Sequence, residues 1–447
     1  MEYNKTFAST PVDLISGARI LSPGFDPSTQ HDIHTGDGKI KDICSHDPSS
    51  ITSATDKILD ARNHLIAPSL CHAHIHLDKC FLLSDPKYAD LEIVEGDFKE
   101  AMELTARAKG RFERGDLLRR GGWLLGESVK AGVTCMRAFV EVDHIVGFRC
   151  LDAALELKRV WRGACEVQIC VFAQEALFSG VWAGENRELM EEAVGREGVD
   201  AIGTTPYVEQ DEHAMDSNVR WAIGTAIDCD KHLDFHLDYN LDLTKPPLTL
   251  SVVNLLKQRQ RSLKSVALGH CTRLTKLSSE EWQNMAREVE FGKVCFVGLP
   301  TSDLFIQGKP GPGDGGGERL RGTLQIPQMI QEYGIPGCIA INNVGNAFTP
   351  YGSCDPLGIA SMGVGLYHAG TKKDVQVLYE CVSTRAKEAI GVSGGSFGRG
   401  EGADFVLFEG GRGGMEGRMR GRRTLQEVVY DPPGERKTVF GGCVITV

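Results

Sequence analysis

From residue 65 onward the chain alternates short apolar runs with longer amphipathic stretches. The apolar runs fall at 65–70, 133–141, 166–173, 200–204, 233–238, 265–270, 293–298 and 337–341. Short, nearly continuous apolar runs are expected of parallel strands buried on both faces. The stretches between and after them, such as 97–109, 115–130, 148–161, 217–228, 248–259, 278–289 and 324–333, carry helical periodicity. Ser278 and Glu281 make a capping box at the start of one. Two more helices, near 356–368 and 373–389, follow the last run. Eight such units predict an α/β protein built on a closed (β/α)8 TIM barrel, in preference to an open doubly wound sheet.

The flanks read differently. Residues 11–64 are rich in Ser, Asp and Gly, with strand-like pieces at 14–15 and 18–21, and strand-like runs return at 403–408 and 438–445. The expectation is one small β-sandwich built from both termini (1–64 plus 397–447) beside a barrel over 65–396. Two segments are punctuated by glycine. Residues 310–317 follow the seventh strand on the face that carries active sites, where they read as a lid or a surface loop. Residues 410–423, rich in Gly and Arg, read as a solvated insertion in the small domain.

Composition narrows the classes. A chain of 447 residues, 41% hydrophobic, can bury a large core. A formal charge of −11 argues against bulk attraction to nucleic acid or to an anionic membrane. No apolar run is long enough to span a bilayer. Residues 1–5 lack the basic start and apolar core of a secretory leader. Fourteen scattered cysteines without a Cys-x-x-Cys pair predict reduced, buried thiols in a cytoplasmic protein. The His-x-Glu plus Pro-Cys-x-x-Cys zinc signature is absent.

The candidate chemistry begins at Leu70-Cys71-His72-Ala73-His74-Ile75-His76-Leu77-Asp78-Lys79. Side chains at i and i+2 of a strand share a face, so His74 and His76 aim two imidazoles at one point, a pattern suited to a divalent metal. Reacting groups in such a barrel sit at the C-terminal ends of the strands. Gathered there are Glu141 and Asp143, Gln174 and Glu175, Pro206-Tyr207, His236-Leu237-Asp238-Tyr239, His270, and Asn342-Asn343. Four histidines from three strand ends predict a metal centre. Neutral imidazoles suit zinc or iron, and a carboxylate normally serves as the proton acceptor beside such an ion. His144, His213, His232 and His368 fit no ligand pattern. Lys79 reads as a solvent-exposed flank in preference to a group facing the pocket mouth. Arg321 reads either as a contact to an anionic or carbonyl group of the substrate or as a surface residue.

Together these motifs resemble the amidohydrolase superfamily, and most closely its cytosine deaminase-like branch. His74-Ile75-His76-Leu77-Asp78 matches that branch's metal motif, and Val171-Phe172-Ala173-Gln174-Glu175 resembles its substrate-amide segment. His236 matches the fifth-strand metal histidine, and Gly269-His270-Cys271-Thr272 resembles the sixth-strand histidine segment. Phe305-Ile306-Gln307-Gly308-Lys309, Arg321-Gly322 and Asp355-Pro356-Leu357-Gly358 resemble the segments that follow strands seven and eight. The resemblance implies that His74, His76 and His236 hold the metal. It implies that His270 orients or polarises water and substrate, and that Gln174 holds the substrate's amide edge. Two positions depart from the pattern. The family's strand-eight aspartate falls at Asn342, whose amide oxygen can ligate a metal but is no base near neutral pH. Its proton-shuttling glutamate falls at Tyr239, a phenol of ordinary pKa ~10.

The expected function is metal-dependent hydrolysis of a C–N bond, other than a peptide bond. The substrate classes are a small amide, lactam, cyclic amidine or aminopyrimidine-like compound. The cofactor is one divalent ion, zinc or iron, with Asn342 as a fourth ligand. His270, Asp238 and Tyr239 are the candidate catalytic residues, with Asp78 and Glu141 as other sources of the base. Gln174 and Arg321 are the candidate substrate contacts. Alternatives on the same scaffold are a non-hydrolytic metal-dependent isomerase or lyase, and a catalytically silent binding homologue. The expected partner is a small molecule, with no nucleic acid and no membrane, and the resemblance is compatible with a homo-oligomer.

Overall fold

The computed structural model describes residues 7–48, 57–62, 64–309, 320–408 and 421–447. The 310–317 loop, residues 1–5 and most of 410–423 lie outside the described residues.

Eight parallel strands run in chain order around one sheet. They are β1 (Leu70–His76), β2 (Val133–Glu141), β3 (Glu166–Ala173), β4 (Val199–Thr204), β5 (His232–Leu237), β6 (Val266–His270), β7 (Val294–Gly298) and β8 (Gly337–Ile339). Helices separate consecutive strands, as parallel connections require. The ring closes between β1 and the residues just past β8, through a parallel bridge from Ile75 to Asn342. The His76 N–H donates to the Asn342 carbonyl at 2.8 Å, and the Asn342 N–H donates to the His74 carbonyl at 3.2 Å. The closing seam is therefore made by candidate site residues. This is the (β/α)8 barrel.

Both termini build a second sheet. Its order is Ala8–Pro11, Cys443–Thr446, Arg436–Phe440, Phe405–Phe408, Leu65–Pro68, Leu14–Ile20, Gln30–Gly36 and Lys39–Ser45, with Ile58–Asp60 also paired to Leu14–Ile20. Ile15, Ile33, Ile66, Phe405, Leu407 and Val439 form a core of their own there.

One strand is reassigned. The run 65–70 was expected to open the barrel, but Leu65–Pro68 pairs antiparallel with Phe405–Phe408 in the terminal sheet. Pro68 lacks the N–H that would carry the ladder onward. The barrel strand starts at Leu70, so His74 and His76 lie within it. The β1–β2 register shifts between His72 and Ile75. His72 accordingly meets Ser128 on an outer helix at 3.1 Å, while His74 and His76 turn inward. No described helix is long and apolar enough to cross a membrane.

Candidate active site

The inward ends of β1 and β5 bring three imidazoles together. His74 Nε2 lies 3.1 Å from His236 Nε2, which lies 3.4 Å from His76 Nε2. Phe139 from β2 stacks on His74 at 3.9 Å between centroids, and Phe172 from β3 packs against His236 at 4.4 Å, fixing the ring planes. All three histidines are buried, and burial is the main force pushing their pKa values down. The neutral form keeps a lone pair on each ring for a metal. Beneath them, Arg137 donates to Asp234 Oδ2 at 3.1 Å, and Asp234 Oδ1 lies 3.7 Å from His74 Nδ1. Asn342, with φ of +67°, lies at the same rim, its Oδ1 buried and without a hydrogen-bond partner. Three neutral nitrogens with candidate ligand atoms within 4.8 Å of one another, beside a spare amide oxygen, fit a single divalent cation.

His270 ends β6 in the left-handed region, at φ of +64°. Its Nδ1 contacts Asp303 Oδ1 at 2.6 Å. Asp303 is fully buried in a helix not expected from the sequence, α1 (Pro300–Ile306), and its other oxygen accepts from Thr323 Oγ1 at 2.6 Å. A carboxylate at Nδ1 selects the tautomer with its proton there and its lone pair on Nε2. The His270 ring is 5.1 Å from that of His236. Tyr239 packs on His270 at 5.0 Å, and its hydroxyl donates to the Asp303 backbone carbonyl at 3.4 Å. It therefore sits behind the histidine as a supporting ring.

His76, His236, His270 and Asn342 line a small cavity, walled also by Gln174 and Phe348. The other candidates are placed elsewhere. Asp238, expected as a candidate base, is committed to the start of a helix, α2 (Leu248–Arg259). Its carboxylate accepts from the Leu248 and Thr249 N–H groups at 2.8 and 2.9 Å and from Thr249 Oγ1 at 2.6 Å. Asp78 and Glu141, the other expected bases, do not line the cavity. The Glu141 N–H donates to Asp78 Oδ2 at 2.7 Å, and burial followed by repulsion from Glu141 pushes the Asp78 carboxyl up to about 6. Arg321, expected at the substrate, is exposed and absent from the cavity wall.

Lys79 corrects the sequence expectation outright. It is 1% exposed, not a solvent-exposed flank. Its Nζ donates to Glu141 Oε1 at 2.7 Å, lies 3.4 Å from Gln174 Oε1, and faces into the cavity wall. Lys109, also buried, sits 2.6 Å from the other Glu141 oxygen and also contacts Asp143. Burial alone would raise the Glu141 carboxyl, but Lys109 and Lys79 outweigh it and hold it at about 2.

No family model matches the chain. Over 343 residues, 75% of this chain and 77% of the relative, it is 20% identical to N-isopropylammelide isopropyl amidohydrolase of Pseudomonas sp. (strain ADP). A crystal structure of 5-methylcytosine deaminase from Klebsiella pneumoniae with 5-fluorocytosine superposes with a TM-score of 0.81, at 20% identity, covering 96% of each chain. The chain shares the fold of that deaminase. A second crystal structure, N-isopropylammelide isopropylaminohydrolase from Burkholderia multivorans, superposes with a TM-score of 0.73 at 22% identity, covering 96% of this chain and 97% of the other. The shared fold covers 96% of this chain in both comparisons.

Proposed function

We propose that the protein is a metal-dependent hydrolase that cleaves a C–N bond, other than a peptide bond, in a small cyclic amide or amino-heterocycle. The observation that carries this is the clustering of three neutral imidazoles, His74, His76 and His236, beside a fourth, His270, whose far nitrogen is held by a buried carboxylate. His74, His76 and His236 would hold the ion, zinc or iron by donor type, with Asn342 Oδ1 as a fourth donor. When bound, the ion polarises the substrate and makes water nucleophilic near neutral pH. The similarity to an amidohydrolase and to a deaminase supports the class of bond.

The chain's own acid–base chemistry falls to His270. Asn342 cannot accept a proton, and Asp238 is taken up by α2. His270 Nε2 faces the cavity with its lone pair free, while Asp303 holds the Nδ1 proton and stabilises the imidazolium formed when Nε2 takes one. The same Nε2 then returns that proton to the leaving nitrogen. This is the orienting logic of a histidine–carboxylate dyad. The free state of all fourteen thiols supports a cytoplasmic location.

The test is a screen of zinc- and iron-loaded protein against lactams and amino-heterocycles, scored by ammonia or amine release. Release that requires the ion and is abolished in His236→Ala supports the proposal. Protein that is inert with either ion, across a screen in which a control deaminase is active, overturns it. Asn342 in place of a carboxylate favours a second possibility, a non-hydrolytic isomerase or lyase. Turnover without incorporation of ¹⁸O from labelled water would select it.

A further inference from the structure

Among the described residues, the cavity wall contains one lysine and no carboxylate. A lysine this deeply buried is tolerated only when paired. Lys79 is paired incompletely. Glu141 gives it one oxygen at 2.7 Å, but the second Glu141 oxygen serves Lys109 at 2.6 Å. Lys109 has carboxylate partners of its own, Asp143 and, at 3.7 Å, Glu175, so the Lys79–Glu141 pair belongs to a wider buried charge network. Of the three Lys79 N–H donors, one goes to Glu141 and a second makes only a long contact of 3.4 Å to Gln174 Oε1. The Nζ also lies 4.8 Å from the centre of the Phe348 ring, which also lines the cavity. Donor capacity therefore remains on the Lys79 ammonium, which lines the cavity together with Gln174 and Phe348.

We propose that Lys79 is a specificity-determining residue that binds an oxygen bearing negative charge on the substrate. The chemical class is a compact, planar, oxo-substituted heterocycle or cyclic imide that is anionic near neutral pH. Neutral analogues bind less well, and cationic amidines are disfavoured because no carboxylate among the described residues lines the cavity to receive them. This rests on the proposed function only for placing the substrate in this cavity.

The test measures binding, not turnover. Zinc-loaded and metal-free protein are each titrated calorimetrically with three planar rings of similar size: barbiturate (anionic), uracil (neutral) and 4-aminopyridine (cationic). A charge-assisted hydrogen bond to a buried ammonium predicts that barbiturate binds at least about tenfold tighter than uracil, with 4-aminopyridine weakest. In Lys79→Met the barbiturate advantage is lost, while uracil affinity changes little. A lysine that merely braces Glu141 would weaken all three probes alike on substitution, which overturns the proposal. Equal or tighter binding of 4-aminopyridine by the wild type also overturns it. If Lys79→Met fails to fold, Lys79→Gln keeps a donor to Glu141 without the charge, and the order of affinities in metal-free wild type decides. Barbiturate preference without C–N cleavage in the screen would sink the proposed function and leave the subsite standing. Cleavage with no loss of anion preference in the Lys79 variants would do the reverse.

Discussion

At the residue scale, the proposed acid–base chemistry rests on His270. The proton acceptor expected after β8 is an amide, and the position expected to shuttle protons is a phenol that packs behind His270. Asp303 then becomes the residue that gives His270 its tautomer. Asp303→Asn is expected to lower kcat by about 10²–10⁴-fold, the usual worth of a general acid–base group, with little change in KM. The accompanying ¹⁵N spectrum should show the His270 tautomer redistributed. A normal kcat with a redistributed tautomer would remove His270 from proton transfer. Asn342→Asp is expected to retain the metal more tightly in chelator competition, because it replaces a neutral donor with an anionic one. The convergence of His74, His76, His236 and His270 was legible because period-two spacing and strand-end position are local facts. Lys79 and Asp303 were not. The partner of Lys79 is 62 positions away, and that of Asp303 is 33 away. Nothing beside either residue in sequence reveals that it is buried.

At the element scale, the rim of the barrel is tied together by backbone strain and remote capping. Asp238, His270 and Asn342 all adopt positive φ just where β5, β6 and the segment after β8 end. Non-glycine residues held there cost of order 1–3 kcal/mol each, and such strain gathers at functional sites. Asp238 also caps α2, whose preceding Pro247 makes no side-chain cap. Asp238→Ala is expected to destabilise the protein by about 1–2 kcal/mol through loss of these hydrogen bonds, as read by urea denaturation. Its effect on kcat should be far smaller than that of Asp303→Asn. The alternation of strands and helices was legible from apolar periodicity. The fate of 65–70 was not, because an apolar run looks the same in either sheet. The 373–389 stretch is broken at Ser383, held at φ −134° and ψ −99°, into Lys372–Cys381 and Thr384–Ala389. Ala183–Val194 was also unforeseen, and the seven-residue α1 was masked by the apolar residues around it.

At the scale of the molecule, pH and metal act on the same barrel from different places. His232, at the start of β5, accepts the Ser265 N–H at Nδ1 over 3.3 Å, and burial, followed by repulsion from Arg137, pushes its pKa down to about 4. The unfolded histidine titrates near pH ~6.5. Between these values the unfolded chain binds more protons, so this stability is present above about pH 6.5 and is lost as pH falls through about 4. Urea midpoints of metal-free protein should therefore fall from pH 7.5 to pH 5, and less steeply in His232→Gln. Metal binding should add stability by mass action, about 2.7 kcal/mol when free ion exceeds Kd a hundredfold. The melting temperature should rise with zinc and return to its starting value with chelator.

The measurement that bears most directly on all of this is an anomalous-difference map from crystals equilibrated with zinc, collected on both sides of the absorption edge. One ion per chain, bonded to the Nε2 atoms of His74, His76 and His236, is the predicted result. A map with no ion there, or with zinc bound only elsewhere on the molecule, would contradict it.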